Sequence, residues 1–176
     1  MDQNRHSAQP NSMKIMLRED LDPETDFYYR HQFKIYHDPY LIWDRDTWEM
    51  IITTCDVYRI EFNGKYAGDV ILEDRGKGTK YIVDFSVLPE YQGKGVGKGA
   101  LEKVKKVGKK LTGITRKEAL TFFLKSGFVL KKTIRNYYQP GVDGYYITFS
   151  RKNGNDALSR DLAVAQKEGG FTDSTT

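Results

Sequence analysis

Cysteine and histidine are scarce: Cys55 is the only cysteine, and there are three histidines in 176 residues. An internal disulfide is therefore excluded, and so is a cysteine-based zinc site. A reducing cytoplasm is the expected home. His31 and His37 fall in a helical pattern with nothing nearby to complete a ligand set, so they read as packing or surface residues and no metal is expected. Long apolar runs are missing too: none approaches the roughly 18–20 residues that span a bilayer, which argues against a membrane role. The opening "MDQNRHSAQPNS" lacks the apolar stretch of a signal peptide and reads as a disordered leader over residues 1–12. No internal repeat is visible. What remains, 39% hydrophobic and 13% aromatic, suits one globular domain with a single core, over residues 13–152. Residues 153–176 read as a polar tail that could hold a short helix at 157–167.

Charge is distributed unevenly. The formal net charge is +4, yet residues 1–90 carry seventeen acidic against eleven basic side chains. Residues 94–117 reverse this with nine Lys or Arg against Glu102 alone. Such a block can be a nucleic-acid footprint, a cradle for a phosphorylated cofactor, or a solvated helix face.

Periodicity predicts a strand at residues 14–19. A broken helical stretch follows from Asp22 to Thr54, with Asp22 as a cap, Pro23 at the first helical position, and Asp44 or Asp46 capping a second piece. Residues 57–62 and 66–72 read as a hairpin closed by Asn63-Gly64, and "YIVDFSVL" (81–88) as a third strand. A helix is predicted from about Gly97 to Lys110, then a brief strand at 111–115. A helix at 116–128 is stopped by Gly127, and strands at 129–138 and 144–152 close the domain. This order implies an α/β (α+β) domain whose central sheet is mixed, mostly antiparallel and flanked by helices.

The stretch "VLPEYQGKGVGKGAL" sets Gly93, Gly95, Gly97 and Gly99 at alternate positions between a strand and a helix. A Walker loop would need glycine at 92 and a hydroxyl at 99, where Gln92 and Gly99 stand. The dinucleotide fingerprint fails as well, because Ala100 occupies its third glycine. An anion cradle survives both tests. Amides at a helix start have no internal partner and face the positive end of the helix dipole, and glycine lets a bulky pyrophosphate approach them. The bland alternative is a loose surface loop.

Gln92-Gly93-Lys94-Gly95-Val96-Gly97 matches Q/R-x-x-G-x-G/A, and on this motif the chain resembles the GNAT superfamily of coenzyme A-dependent N-acetyltransferases. "EALTFFLKSGF" is similar to the family's helix ending in Gly-Phe, and "YYITF" to its last strand, so the likeness covers roughly residues 57–152. It implies acetyl-CoA as co-substrate. Main-chain groups of Phe85, Ser86 and Val87 would hold the pantetheine arm, and Gln92, Gly93, Lys94, Gly95, Val96, Gly97 and Lys98 would hold the pyrophosphate. It also implies that Tyr137 and Tyr138 wall an acceptor site, against the plainer reading that they cover a sheet edge.

Two positions depart from the family pattern. Phe123 stands where many relatives carry a proton-donating tyrosine, and Arg116 where an asparagine often precedes the helix. A thiolate leaves without much help, so catalysis does not require the tyrosine. Candidate bases are Asp84, a carboxylate in an apolar strand, and Tyr81. Simple alternation sets Tyr81, Val83 and Phe85 on one face and Ile82, Asp84 and Ser86 on the other, unless a bulge resets it.

The expected function is acetyl transfer to a primary amine, with a peptide or protein amine favoured over an amino sugar or polyamine. One alternative is a coenzyme A-binding module without catalysis, a sensor or partner protein. Another is a nucleic-acid binder on the 94–117 block, against which stands the lack of stacking aromatics beside the lysines. A monomer and a dimer are equally compatible with the sequence.

Overall fold

Asn63 and Gly64 take positive φ angles of 50° and 78° and fold the chain back between strands at Asp56–Phe62 and Lys65–Asp74. This is the tight turn that an Asn-Gly pair favours. The computed structural model describes residues 13–151. The expected leader (1–12) and the expected tail (153–176), with its helix at 157–167, lie outside the described residues.

In chain order the elements are β1 (Ile15–Glu19), α1 (Thr25–Ile35), α2 (Arg45–Thr54), β2 (Asp56–Phe62), β3 (Lys65–Asp74), β4 (Thr79–Val87), α3 (Val96–Val104), β5 (Lys110–Thr115), α4 (Lys117–Lys125), β6 (Val129–Gln139) and β7 (Val142–Ser150). Single 3-10 turns at Pro39–Leu41 and Pro89–Tyr91 punctuate the connections. The strands form one seven-stranded sheet in the order β1-β2-β3-β4-β5-β7-β6. Only β4 and β5 run parallel, so the sheet is mixed and mostly antiparallel.

Each face of the sheet carries a helical layer. Tyr28 of α1 and Trp48, Ile51 and Ile52 of α2 pack on Val57 and Ile71. On the other face, Ala100, Leu101 and Val104 of α3 and Phe123 of α4 cover Val70, Leu72, Ile82, Leu111 and Ile147.

Local signals decide several boundaries. The Asp44 side chain accepts from the Thr47 amide at 2.7 Å, so of the two candidates Asp44 is the cap of α2. Asp22 is not the cap of α1: Glu24 occupies that position, with no side-chain bond. Gly127, at φ 88°, ends α4 in a paired C-terminal turn, its amide bonding Leu124 and the Phe128 amide bonding Phe123. Helix α3 is shorter than predicted. It stops at Val104, and the Lys109 and Lys110 amides bond the Gly78 carbonyl, drawing this lysine-rich segment into β5. Tertiary pairing here overrides a good local helix propensity.

Gly68 on β3 has φ 154°, and a Cβ there would lie 2.1 Å from the Ser86 carbonyl oxygen of β4. No flexible side chain can yield at that contact. Gly68→Ala is therefore expected to cost about 3 kcal/mol or more, measured as a drop in Tm of roughly 10 °C for a domain of this size. An unchanged Tm would show that the two strands can part there at no cost.

Candidate active site

The cavity follows from where two strands stop pairing. The β4–β5 register runs from Thr79↔Lys110 to Ile82↔Gly113 and ends. Beyond that point β4 continues against β3 and β5 continues against β7. The strands part, and the gap is a cavity of about 530 Å³ walled by Tyr81–Phe85, by Gly113–Arg116, and by Ala119 and Phe123 of α4.

A bulge at Val83 sits at the parting. Opposite it, Ile71 pairs with Asp84 and Leu72 with Ile82, so Val83 has no partner. Simple alternation is thereby corrected. Tyr81, Asp84 and Ser86 share the α1/α2 face with their partners Glu73, Ile71 and Asp69, while Ile82, Phe85 and Val87 face α3 and α4. The two candidate bases, Tyr81 and Asp84, thus lie on one face of the strand, and both border the cavity.

Past the cavity, where β4 ends, lies the glycine run, with Gly97 against Val87 and Phe122. Gly93 and Gly95 have φ of 71° and 78°, and a Cβ at either would meet nothing within 4 Å. Their requirement is conformational rather than steric. Gly95 is the start cap of α3 without a side-chain bond, and the first intrahelical bond runs from the Gly99 amide to the Gly95 carbonyl. The amides of Val96, Gly97 and Lys98 therefore have no carbonyl within the helix to bond, an arrangement suited to an anion. Lys94 and Lys98 are exposed beside it, and the Val96 side chain is buried in the core. Gly99 has a different reason from the one expected: a Cβ there would lie 2.5 Å from Ile15 Cδ1, so it admits β1 rather than an anion. Gln92 Nε2 donates to the Val87 carbonyl at 2.8 Å and ties the loop to the strand end.

The main chain of β4 offers groups to the opening in alternation. Leu88 donates its amide to Ala67 of β3. Period two then turns Ser86 toward β3, and leaves the main-chain groups of Phe85 and Val87 facing the gap. The Ser86 hydroxyl is also committed, donating to Asp69 at 3.1 Å.

Toward the end of α1 the cavity meets a group of acids and phenols, with Asp84 and Tyr36 half-buried and Asp69 buried behind them. Tyr36, just past the end of α1, donates to Asp84 at 2.5 Å. Burial pushes the Asp84 carboxyl up from the usual carboxylate range, while hydrogen bonds from Asp69, Tyr36 and Ser86 pull the other way. Burial and then the neighbouring Asp84 charge hold Asp69 well above that range. Burial raises the Tyr36 hydroxyl too, and the Asp84 charge adds to it, so this phenol remains a donor. Burial likewise raises the Tyr81 hydroxyl, which lies against Tyr137.

Tyr137 and Tyr138 roof the cavity. Asn136 takes a positive φ of 53° and breaks the β6–β7 register, with its side chain accepting from the Gly141 amide and its own amide bonding Asp143. The irregular strand end carries Tyr138 over the gap, where its hydroxyl donates to the Ile114 carbonyl at 3.2 Å. Burial pushes that hydroxyl up to about 12. Tyr40, from the turn between α1 and α2, meets Tyr138 at 5.9 Å between ring centroids. Arg116 begins α4 and pairs with Asp38 at 3.4 Å. Phe123 is packed against Phe85, Phe122 and Phe128 and lines the wall.

Sequence reasoning missed Asp69, Tyr36, Tyr40 and Trp43, the last also lining the cavity. Asp69 carried the same signal as Asp84, an acid inside an apolar strand; the other three are brought in by tertiary packing alone. His31 is a packing residue, its Nδ1 2.7 Å from the Phe27 carbonyl and its ring against Phe27 and Tyr66. The basic block does not form one free face. Lys105 pairs with Glu102 and lies over Phe149, and Arg116 is held by Asp38. No helix of the described residues is long and apolar enough to cross a membrane.

The family model for the acetyltransferase (GNAT) family matches residues 15–128. Among solved structures, the ribosomal-protein-S18-alanine N-acetyltransferase from Escherichia coli is 18% identical with a TM-score of 0.67, over 81% of this chain and 98% of that one. A GNAT family acetyltransferase from Elizabethkingia anophelis with acetyl-CoA bound is 18% identical with a TM-score of 0.59, over 78% and 98%. Arabidopsis thaliana Naa50, in complex with the bisubstrate analogue CoA-Ac-MVNAL, is 20% identical with a TM-score of 0.61, over 78% and 99%. No curated protein matches the sequence. At such identities the structural likeness is one of fold.

Proposed function

The chain belongs to the GNAT acetyltransferase family, and from that premise we propose that it moves an acetyl group from acetyl-CoA to a primary amine, with a peptide or protein amine as the favoured acceptor. The observation that carries this reading is what the free edge of β4 joins. Half-buried Asp84 borders the cavity where β4 leaves β5, and further along the same strand Val87 lies against Gly97 at the start of α3, whose first amides have no carbonyl within the helix.

The residues present fit the coenzyme. Gly93 and Gly95 hold the loop in a conformation that other residues rarely adopt, and the Val96, Gly97 and Lys98 amides face outward from the helix start. Phe85 and the Val87 amide supply strand-edge groups, while Lys94 and Lys98 bring positive charge near the phosphates. Gln92 acts by bracing the loop. Acetyl-CoA, when bound, supplies an acyl group on a thiol that leaves readily. Asp84 then accepts the proton that the amine must lose, and Tyr36 holds its carboxylate in place. Tyr81, Tyr137 and Tyr138 line the approach, with Tyr81 the weaker candidate for the base because its raised phenol does not ionise near neutrality.

The roof of Tyr40 and Tyr138 narrows the entry so that an amine end reaches Asp84 and the body of the acceptor stays outside. A peptide terminus or a lysine suits that shape. Neighbouring folds include enzymes named for a ribosomal protein and for spermidine, so both protein and small amines belong in the test. Cytoplasmic residence, expected from the single cysteine, is part of the same proposal.

The test is release of thiol from acetyl-CoA with peptides, polyamines and amino sugars as acceptors. Turnover with any of them supports transfer. A folded protein that binds acetyl-CoA yet turns over none of them would favour a second reading, a coenzyme-binding protein without catalysis. Phe123 is the observation behind that reading, because a packed ring without a hydroxyl lines the wall. Phe123→Tyr separates the two. We expect wild type to be active and the variant to differ by less than about tenfold, below the 10²–10⁴-fold of a general acid's contribution; activity in the variant alone would establish the second.

A further inference from the structure

Among the described residues, Asp69 is the one acidic or basic side chain in the fully buried set, at 2% exposure. No cation meets it. Tyr66 Oη donates to it at 2.6 Å and Ser86 Oγ at 3.1 Å. The strand register explains what else it touches. Asp69 pairs with Ser86, and Ile71 with Asp84, so Asp69 and Asp84 are diagonal neighbours on one face of β3 and β4. With Asp69 buried and Asp84 half-buried beside it, a second negative charge on the pair is strongly disfavoured.

Arg59 of β2 pairs with Asp69 across the strands, but its guanidinium is held by Asp20 and lies over the Phe27 ring. Tyr36 arrives from the end of α1 and Tyr66 from β3, with His31 of α1 edge-on to the Tyr66 ring. Tyr138 and Arg116 lie across the cavity, the latter engaged by Asp38. Among these the hydroxyls of Tyr36, Tyr66 and Ser86 donate to the carboxylates, and no ammonium or guanidinium does. One proton between the acids completes the set.

We propose that Asp69 and Asp84 act as one carboxylate pair holding a single resting proton, carried on Asp69 and donated to Asp84, so that Asp69 is a positioning residue for the proton-accepting oxygen of Asp84. This deepens, and for its last step rests on, the amine-acetylation reading. An ammonium meets a pair of charge minus one. Its N–H bond breaks, an O–H bond forms on Asp84, and nitrogen keeps the electron pair. Cation and anion become two neutral partners inside a site that disfavours charge. The added proton returns to solvent after the product leaves.

The experiment is infrared spectroscopy of the full chain with isotopically labelled aspartate, comparing wild type with Asp69→Asn. At neutral pH the wild type should show the carbonyl band of a protonated carboxyl, and the variant should lack it. Absence of the band in wild type overturns the proposal, even if the variant fails to fold. Stability gives a second readout. A proton held on Asp69 in the fold contributes stability below the ordinary carboxylate range that is lost as pH rises through the raised value. Wild type should therefore lose more Tm toward alkaline pH than Asp69→Asn does.

In kinetics, the amide of Asn is a weaker donor to Asp84 than a carboxyl. The acid limb of kcat/KM should move to higher pH by about one pH unit, with the plateau within about threefold. A loss that is flat across pH would show a merely structural Asp69 and overturn the positioning role. Absence of turnover with every acceptor would count against the amine reading, while the spectrum still decides the pair.

Discussion

Gly95→Glu is expected to abolish most of the affinity for acetyl-CoA and to leave the protein folded. The residue caps α3 at φ 78°, and a Cβ placed there meets nothing within 4 Å, so the substitution does not collide with the fold. It does strain the backbone by about 1–2 kcal/mol and sets a negative charge beside the amides that would receive phosphate. Repulsion inside an anion site adds to the strain. The dissociation constant measured by calorimetric titration is expected to rise at least about 100-fold, equivalent to about 2.7 kcal/mol. Gly95→Ala carries the same strain without the charge and should lose no more than about tenfold. The difference between the two variants isolates electrostatics from conformation. Equal binding by both would place the phosphates somewhere other than the start of α3.

That prediction rests on a signal the sequence displays openly. Positive φ angles are a local demand, and alternating glycines between a strand and a helix announce them at Gly93 and Gly95. The hairpin at Asn63-Gly64 and the Gly127 stop are legible for the same reason. Gly99 shows the limit of the argument, because its reason is Ile15, a residue 84 positions earlier in the chain. The end of α3 at Val104 escapes local reasoning in the same way. Lysines at 105, 106 and 109 are good helix formers, and only the distant Gly78 carbonyl pulls the chain into β5.

The site divides along the same line. Asp84 was visible as an acid in an apolar strand, and its face was not, because the Val83 bulge exists only opposite Ile71 and Leu72. Tyr36, Tyr40 and Trp43 come from a helix end and a loop whose placement over β4 depends on packing against α2. Their sequence context is ordinary for aromatic surface or core residues, so nothing local distinguishes them.

Asp84→Asn should lower kcat/KM for amine acetylation by about 10²–10⁴-fold, the range expected for removing a positioned base. Asparagine keeps the shape of the side chain and can still accept from Tyr36, so acetyl-CoA affinity and Tm should hold. The pH dependence follows from the direction of its shift. Burial raises the Asp84 carboxyl, and only its ionised form accepts a proton. Wild-type kcat/KM therefore falls as pH drops through that raised value, and the fall disappears in Asp84→Asn. Tyr36→Phe removes a donor to the ionised carboxylate, so its acid limb should move to higher pH while the plateau survives. Tyr81→Phe is the discriminating control. Tyr81 borders the same cavity, yet burial and the neighbouring Tyr137 keep its proton in place. Its loss should cost less than about threefold, well below a base's contribution. The opposite ranking, a large loss at Tyr81 and a small one at Asp84, would transfer the base to the phenol and leave the buried carboxylates a structural part of the cavity floor.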